Sequence, residues 1–556
     1  MKSANGPAWA IPEAIGVSSS SLLVSFVSFI AFVFLVSHFG AREGPQTLRD
    51  PIPHLFNTLQ FMFNNHKFMI RVRNALRDSN IIRFYLGPKT VYLVAGPQSI
   101  KAMFGRELVH DVTNQEQMTR YALPTLYKMN PDEVRRWEND KTGVTKVPIP
   151  GTEGLPLRQR LWFMYEHIYT EYLGKPQYMR PLVDTFRRSL SQALERYPTT
   201  EWTTVSIQSL CRREVAELAI GVLFGPDLIK SSPDFIDRFW AFDEHLFMLV
   251  LGLPKWMNSG PSKAHDRYVV AIEKWLDSAS ARFDWEGPEA ETDWEPRFGG
   301  RATRELFKWM KEVGWRSEVI AATLGALAFA LNSNSIPTTM WMLMEIIKDH
   351  SLLQAVREEV ATVIVTDPDT GKRTIDSQKI VALPLLQSIF TETLRLRISF
   401  NIIRDVKQPI MLDGHTIAKG SLLQAPMMVV HYDEAVWSAA GHPASEFWAE
   451  RHIKYTDETD TSGQSRRKRV YATAGRPSSF FPFGGGANMC PGRQFAKAEI
   501  LTTIGLVVSQ LDIELVGWTN SDGSPSDRAA ESDLRYCGAG AMPPDRDMKV
   551  RLKRIA

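Results

Sequence analysis

Apolar residues recur at three- and four-residue intervals over Met179–Leu194, Val205–Leu223, Glu318–Ile347 and Leu352–Val363, a period that predicts helices. Ser317 is a natural N-cap for the third of these. A fifth helix is expected over Leu385–Leu396, opened by Pro384, and a sixth after Pro491, where Phe495, Ala498, Leu501, Ile504 and Leu506 keep helical spacing. Strand patterns are short. Ile81–Leu86 and Thr90–Val94 flank Gly87-Pro88-Lys89 and predict a hairpin, and Asp413-Gly414 is a two-residue turn between Ile410–Leu412 and Thr416-Ile417. The acidic stretch Trp285–Arg301, rich in Glu, Pro and Gly, is expected as a surface loop. A mainly α domain with small β-sheets follows.

The N-terminus is patterned differently. From Ala14 to Gly40 there is no Asp, Glu, Lys or Arg, and Leu22–Val36 is dense in Val, Phe, Ile and Leu. That meets the roughly 20 apolar residues of a membrane span. A cleaved signal would have a more basic start and small residues at its cleavage site, and Ser37-His38-Phe39 fits poorly. Arg42 and Arg49 follow the span, with Lys2 before it, which leans toward a cytosolic body. The expected organisation is a single transmembrane anchor within residues 1–40, a Pro-containing linker over 41–55 (Pro45, Pro51, Pro53), and one catalytic domain over 56–556.

Composition narrows the class. The 556-residue chain is 44% hydrophobic with 15 Trp, enough for a large core, and its net charge of +3 gives no footing for nucleic acid. Three cysteines, Cys211, Cys490 and Cys537, argue against a disulfide framework. No Cys-x-x-Cys or His-x-x-x-His pairing suggests zinc.

The chemistry concentrates in Phe481-Pro482-Phe483-Gly484-Gly485-Gly486-Ala487-Asn488-Met489-Cys490-Pro491-Gly492-Arg493. A lone cysteine on a glycine-rich bend ahead of a helix suits a thiolate offered to a large flat cofactor. Glycine allows close backbone approach and positive φ, and a helix N-terminus favours a negative sulfur. A nucleotide loop is disfavoured because no Gly-Lys-Ser/Thr follows.

Phe483, Gly484, Gly486, Cys490 and Gly492 resemble the cytochrome P450 signature Phe-Gly-x-Gly-x-Arg-x-Cys-x-Gly, with Asn488 where the family has an arginine that holds a haem propionate. Glu392-Thr393-Leu394-Arg395 resembles the family's Glu-x-x-Arg, and Phe447–His452 a degraded Pro-Glu-Arg-Phe. The resemblance implies a structural Glu392–Arg395–Arg451 network that locks the cysteine loop. Glu392 precedes Cys490 by 98 residues (490 − 392), in family order. The resemblance further implies haem b ligated by the Cys490 thiolate, with Phe483, Gly484, Gly486 and Asn488 around it. Reducing electrons would come from NADPH through a separate reductase, NADPH–cytochrome P450 reductase.

Ala330–Trp341 resembles the family's central helix across the distal haem face. Aligned from Ala330, Ser333 stands at the usual acid and Asn334 at the usual threonine; with Ser335 these would order water and pass protons. Pro337 removes a backbone N–H inside this helix and is expected to kink it, freeing a carbonyl. Small polar residues that merely bond back to their own helix are the plainer alternative. Asn334-Ser335-Ile336-Pro337, Asn401-Ile402-Ile403-Arg404 and Tyr455-Thr456-Asp457-Glu458 resemble the branch with cholesterol 7α-hydroxylase, oxysterol hydroxylases and prostacyclin synthase, in a fungal secondary-metabolism setting. Arg404 is then the propionate partner in place of the arginine missing at Asn488.

The implied function is a haem-thiolate monooxygenase acting on a bulky lipophile of terpenoid, steroid or polyketide type. It would be anchored in the endoplasmic reticulum bilayer with its catalytic domain cytosolic. Walls by family position are Ala330, Ile398–Ile402 and Ala541-Met542-Pro543. Two alternatives stay open: a peroxide isomerase or dehydratase needing no outside electrons, and a non-catalytic membrane haem protein. Arg466-Arg467-Lys468-Arg469 is either a docking site for an acidic reductase or a solvated charge run.

Overall fold

A computed structural model describes residues 44–555, apart from 77–78, 251–255, 257, 368, 370, 460–464 and 474–477. The expected anchor lies outside the described residues. Of the linker, Gly44 to Leu55 is seen, and part of it is docked rather than free. Leu48 N–H donates to the Arg83 carbonyl (2.7 Å) and Arg83 N–H to Gln46 (2.8 Å), adding a short edge to the first hairpin, with Leu48 buried.

The domain is mainly helical with small sheets, and one helix organises it. Ser317–Ile347 has almost no polar face, and its C-terminal turns from Ser335 onward are buried on all sides. Among the described residues it is the one helix long and apolar enough to cross a membrane, yet it is a core element with 78% of that window buried inside the fold. The helices Ser259–Arg282, Ala216–Phe224, Pro384–Arg397 and Arg493–Gln510 pack around it. Its N-cap is Arg316, with no side-chain cap, so Ser317 is already inside the helix. It runs on through Pro337 without interruption. Thr338 and Thr339 hydroxyls donate to the Asn334 and Ser335 carbonyls (2.7 and 2.9 Å), filling hydrogen bonds near the proline.

The hairpins form where the pattern puts them. Ile81–Leu86 pairs antiparallel with Lys89–Val94, and Ile410–Leu412 with His415–Ile417 across Asp413 and Gly414, both at positive φ. The first hairpin extends through Leu422–Pro426 and Ile398–Val406 to Ala539–Ala541. A second sheet orders Pro525–Ser526, Leu511–Thr519, Asp547–Arg554 and Thr203–Ser206.

Three expectations need correction. The helix expected from Val205 starts at Ile207, because Thr203–Ser206 is a strand; the Ser206 hydroxyl then caps the helix by accepting from Ser209 N–H (3.0 Å). That helix carries a widened turn over Leu210–Val215. Trp285–Arg301 is no simple surface loop: Phe298 is fully buried against Trp275, Phe283, Trp285 and Phe307, and Glu295 beneath it accepts from Arg297 N–H (2.8 Å). The helix after the cysteine begins at Arg493, with Gly492 as N-cap, so Pro491 belongs to the preceding turn.

Candidate active site

The cysteine loop is built by its glycines. Gly484 and Gly486 sit at φ +71° and +67°, where a β-carbon is strained, and a Cβ on Gly486 would stand 2.8 Å from the Phe104 carbonyl oxygen. Cys490 N–H donates back to the Phe483 carbonyl (2.9 Å) and Gly484 N–H to Phe481 (2.8 Å), closing the bend. Burial pushes the Cys490 thiol up; the N–H groups of Gly492 and Arg493 and the Arg493 charge act against it. The helix start thus aims donors at the sulfur. Cys490 keeps some accessible surface, whereas Cys211 and Cys537 are buried.

The loop is held by the charged network the sequence pointed to. Glu392 receives Arg395 through both carboxylate oxygens (2.8 and 2.7 Å) and Arg451 through Oε1 (2.7 Å), and all three side chains are fully buried. The guanidiniums are satisfied as well. Arg395 donates to the carbonyls of His431 and Ala444, and Arg451 to those of Trp437, Pro443 and Glu446. Against the penalty of burial, Arg395, the His452 imidazole (3.3 Å away) and Arg451 hold the Glu392 carboxyl down at about 2. His431 links network to loop. Its Nε2 lies 3.3 Å from Phe481 N–H, and burial together with Arg395 lowers it to about 3, so it stays neutral and accepts. Sequence reasoning passed over His431, which is isolated in sequence and meets the network only through folding, and gave no role to His452 although it follows Arg451 directly.

On the long helix, exposure falls on one side. From Val319 to Ile347 the helix is buried except at Phe329, Ala330, Ser333 and Asn334. Ala330, Ser333 and Asn334 fall at i, i+3 and i+4, one face of the helix. The Asn334 amide oxygen accepts from Ala541 N–H (2.9 Å), tying the helix to the C-terminal strand, and Gly540 lacks a side chain where a Cβ would stand 2.9 Å from that oxygen. Ser335 is placed otherwise: its hydroxyl donates to the Leu331 carbonyl of its own helix, the back-bonding alternative. Of the expected walls, Ala330, Phe400 and Ile402 keep accessible surface, while Ile398, Ser399, Ala541 and Met542 are packed behind it.

Arg404 and Asn488 come together through Glu166, which the sequence did not reveal. Glu166 lies on Leu161–Gly174, a helix apolar on nearly every side, where one acid among Trp162, Phe163, Met164 and Tyr165 is the only trace. Burial raises its carboxyl, while a hydrogen bond from Asn488 and the Arg404 charge lower it. Arg404 lies deep, and burial pulls it down to about 10. Among the described residues its hydrogen bond is to the Ile403 carbonyl (2.9 Å). A deep guanidinium with so little bonding calls for an anionic ligand. With an accessible thiol ahead of a helix start and a deep, sparsely bonded guanidinium, these residues fit haem: Cys490 would hold its iron and Arg404 a propionate.

The basic run lies elsewhere, on Ser465–Tyr471, paired with Ile453–Thr459. Lys468 meets Glu458 (2.9 Å), Arg469 meets Glu450 (3.5 Å), and Arg467 stacks on Tyr455 (4.0 Å), so much of its charge is already partnered.

Comparison with known proteins agrees with this geometry. The family model described as cytochrome P450 matches residues 172–525. The chain is 41% identical over 503 residues to cytochrome P450 monooxygenase calL of Penicillium decumbens, spanning 90% of this chain and 91% of that protein. It is 27% identical to cytochrome P450 monooxygenase fsoE of Humicola fuscoatra (93% and 88%) and 26% identical to cholesterol 7-alpha-monooxygenase of Cricetulus griseus (65% and 69%). Among solved structures, retinoic acid-bound cyanobacterial CYP120A1 superposes with a TM-score of 0.63 at 17% identity, over 92% of this chain and all of that one.

Proposed function

The chain belongs to the cytochrome P450 family and is a monooxygenase, and from that premise we propose that it oxidises a bulky lipophile of terpenoid, steroid or polyketide type, drawing electrons from an NADPH–cytochrome P450 reductase. The observation that carries this reading is the exposed face of Ala330, Ser333 and Asn334 in a largely buried helix, with Gly540 and Phe400 beside it. A face of this composition suits an apolar body and offers few hydrogen bonds to hold a polar one.

Haem held by Cys490 supplies oxygen activation, with the thiolate favouring O–O cleavage. The protein's own residues do the rest. Arg404 neutralises a cofactor carboxylate where Asn488 supplies no charge. The Asn334 amide N–H groups orient water, since its oxygen is engaged by Ala541. Pro337 leaves the Ser333 carbonyl without its helical donor, a second acceptor for that water. Ser335, committed to Leu331, is withdrawn from the relay in this reading. Glu392, Arg395 and Arg451 keep the loop and its sulfur in place. The fungal relatives support a secondary-metabolism setting, and the apolar run over residues 14–40 supports a single-pass endoplasmic reticulum anchor with a cytosolic domain.

The test is product analysis of the full-length protein with reductase, NADPH and a panel of lipophilic terpenoids, steroids and polyketides. A product one oxygen heavier, formed only when NADPH and reductase are both present, is expected. Turnover of a hydroperoxide without either would overturn the reading.

A further inference from the structure

Gly484, Gly485 and Gly486 stand in a row, the most permissive backbone a chain can have, yet they carry the bend that must present one sulfur at a fixed place. Two of them are explained by the bend itself, since Gly484 and Gly486 sit at positive φ. Gly485 is not. Its φ of −165° is extended backbone that any residue adopts, and position 485 is one that the signature Phe-Gly-x-Gly leaves free.

The space beside Gly485 is filled by the ring of Phe104, 381 residues earlier in the chain (485 − 104). A Cβ on Gly485 would stand 2.5 Å from the Phe104 Cγ and 2.9 Å from its Cε2. Cγ is the root of the ring, so no swing of a distal atom relieves that overlap; the ring as a whole must leave. Phe104 closes the helix Pro97–Met103, its N–H donating to the Ile100 carbonyl (3.1 Å), and the buried Ile100 and Met103 seat that helix. The ring also meets Phe481 edge-on (centroids 5.7 Å), and Phe481 meets the His431 ring (5.3 Å). Phe481 N–H is held at the His431 Nε2, and the His431 carbonyl accepts from Arg395 (2.7 Å). The bend is thus gripped at Phe481 by the charged network, through His431, and at Gly485 by an aromatic ring from a separate helix.

We propose that Phe104 is a positioning residue for the iron ligand: its ring fills the notch that Gly485 leaves and fixes the bend that presents the Cys490 sulfur. The fit works in both directions. A side chain at position 485 expels the ring or pushes the loop, and the sulfur with it, off its seat. Loss of the ring leaves three glycines beside a void, free to sample positions the ring now excludes. Gly486 meets a different part of the same residue, the Phe104 carbonyl oxygen at 2.8 Å and Cα at 3.3 Å. That backbone contact persists whatever side chain position 104 carries, so Gly486 serves as the control for Gly485. The inference rests on haem ligation by Cys490 and uses nothing of the substrate or the electron source.

The test uses the haem-loaded full-length protein and its Gly485→Ala, Gly486→Ala and Phe104→Ala variants, with each glycine substitution also combined with Phe104→Ala. The first readout is the reduced carbon monoxide spectrum, whose Soret band separates thiolate from thiol ligation. Gly485→Ala and Phe104→Ala should each lower the thiolate-to-thiol ratio by about tenfold or more, the one by overpacking and the other by a void. In the Gly485→Ala/Phe104→Ala pair the new methyl enters the space the ring vacates, so the ratio should return at least to that of Phe104→Ala alone. The losses of Gly486→Ala and Phe104→Ala should compound instead, because the overlap there is with backbone. The second readout is amide exchange at Gly484 and Cys490, whose N–H groups close the bend; Phe104→Ala should speed it by about tenfold. Should Phe104→Ala fail to retain haem, Phe104→Leu takes its place in both readouts. Losses that compound for Gly485 and Phe104 would overturn the proposal, as would a Phe104→Ala protein that matches the parent in Soret band and exchange. A parent without a thiolate band defeats the ligation reading, while amide exchange in Phe104→Ala still judges the clamp.

Discussion

Replacing Glu392 with Gln removes the one carboxylate between two fully buried guanidiniums and keeps the side-chain shape. Two independent routes give its cost. Breaking a buried ion pair by deleting one partner costs about 3–5 kcal/mol. The Glu392 carboxyl is held at about 2 against an ordinary 4.5, and about 2.5 units at about 1.4 kcal/mol each comes to about 3 kcal/mol. An unfolding entropy of about 2 cal/mol/K per residue over a domain of about 500 residues is about 1 kcal/mol/K, so Tm should fall by about 3–5 °C. The pH dependence has a definite sign. A depressed carboxyl stabilises the fold fully above the unfolded value of 4.5 and loses this as pH falls toward 2. The gap between parent and Glu392→Gln should therefore be full at pH 7 and narrow below about pH 4.5. Thermal unfolding of the haem-loaded proteins, followed by circular dichroism and Soret absorbance across this range, measures it. A Tm drop under about 1 °C at pH 7, or a gap that stays constant into acid, would refute the argument.

Other substitutions probe separate parts of the site. Arg404→Ala should speed haem loss by about tenfold or more, the equivalent of one charge-assisted hydrogen bond, read by haem transfer to an apoprotein acceptor; an unchanged rate would remove Arg404 from the cradle. Gly540→Ala drives a Cβ toward the Asn334 amide oxygen. Product per NADPH should fall while haem content and Tm hold, and undiminished coupling would show that the Asn334 position does not matter. Glu499, fully buried on Arg493–Gln510, is raised to about 8 by burial. It therefore destabilises the fold increasingly as pH climbs from about 4.5 to 8, and Glu499→Gln should match the parent near pH 4.5 and exceed it by about 3 kcal/mol at pH 7 in urea unfolding.

What could be read from the chain was what local chemistry dictates. Gly484 and Gly486 were legible because only glycine accepts that bend, and the long helix because apolar residues at helical spacing run from Val319 to Ile347 on both sides of the polar cluster Asn332–Ser335. Glu392, Arg395 and Arg451 were found by order along the chain. Glu166 and His431 were not found, because their partners Asn488 and Phe481 lie 322 and 50 residues away (488 − 166, 481 − 431). No periodicity connects such pairs. Trp285–Arg301 was misjudged because its acidic, glycine-rich composition hides Phe298, an aromatic whose burial anchors the segment while Glu286, Glu289 and Glu291 stay exposed. The turn over Leu210–Val215 left no trace in a pattern that helices of either width satisfy.

The charged network also sets an order of events at the ribosome. Glu392, Arg395 and Arg451 are all synthesised before Cys490, and the strand Asp547–Arg554, which joins Leu511–Thr519 to Thr203–Ser206, comes after it. Domains fold from the N-terminal side during synthesis. The Glu392–Arg395–Arg451 seat can therefore form before the sulfur emerges, while the helix Arg493–Gln510 and the strand Asp547–Arg554 that complete the domain follow it.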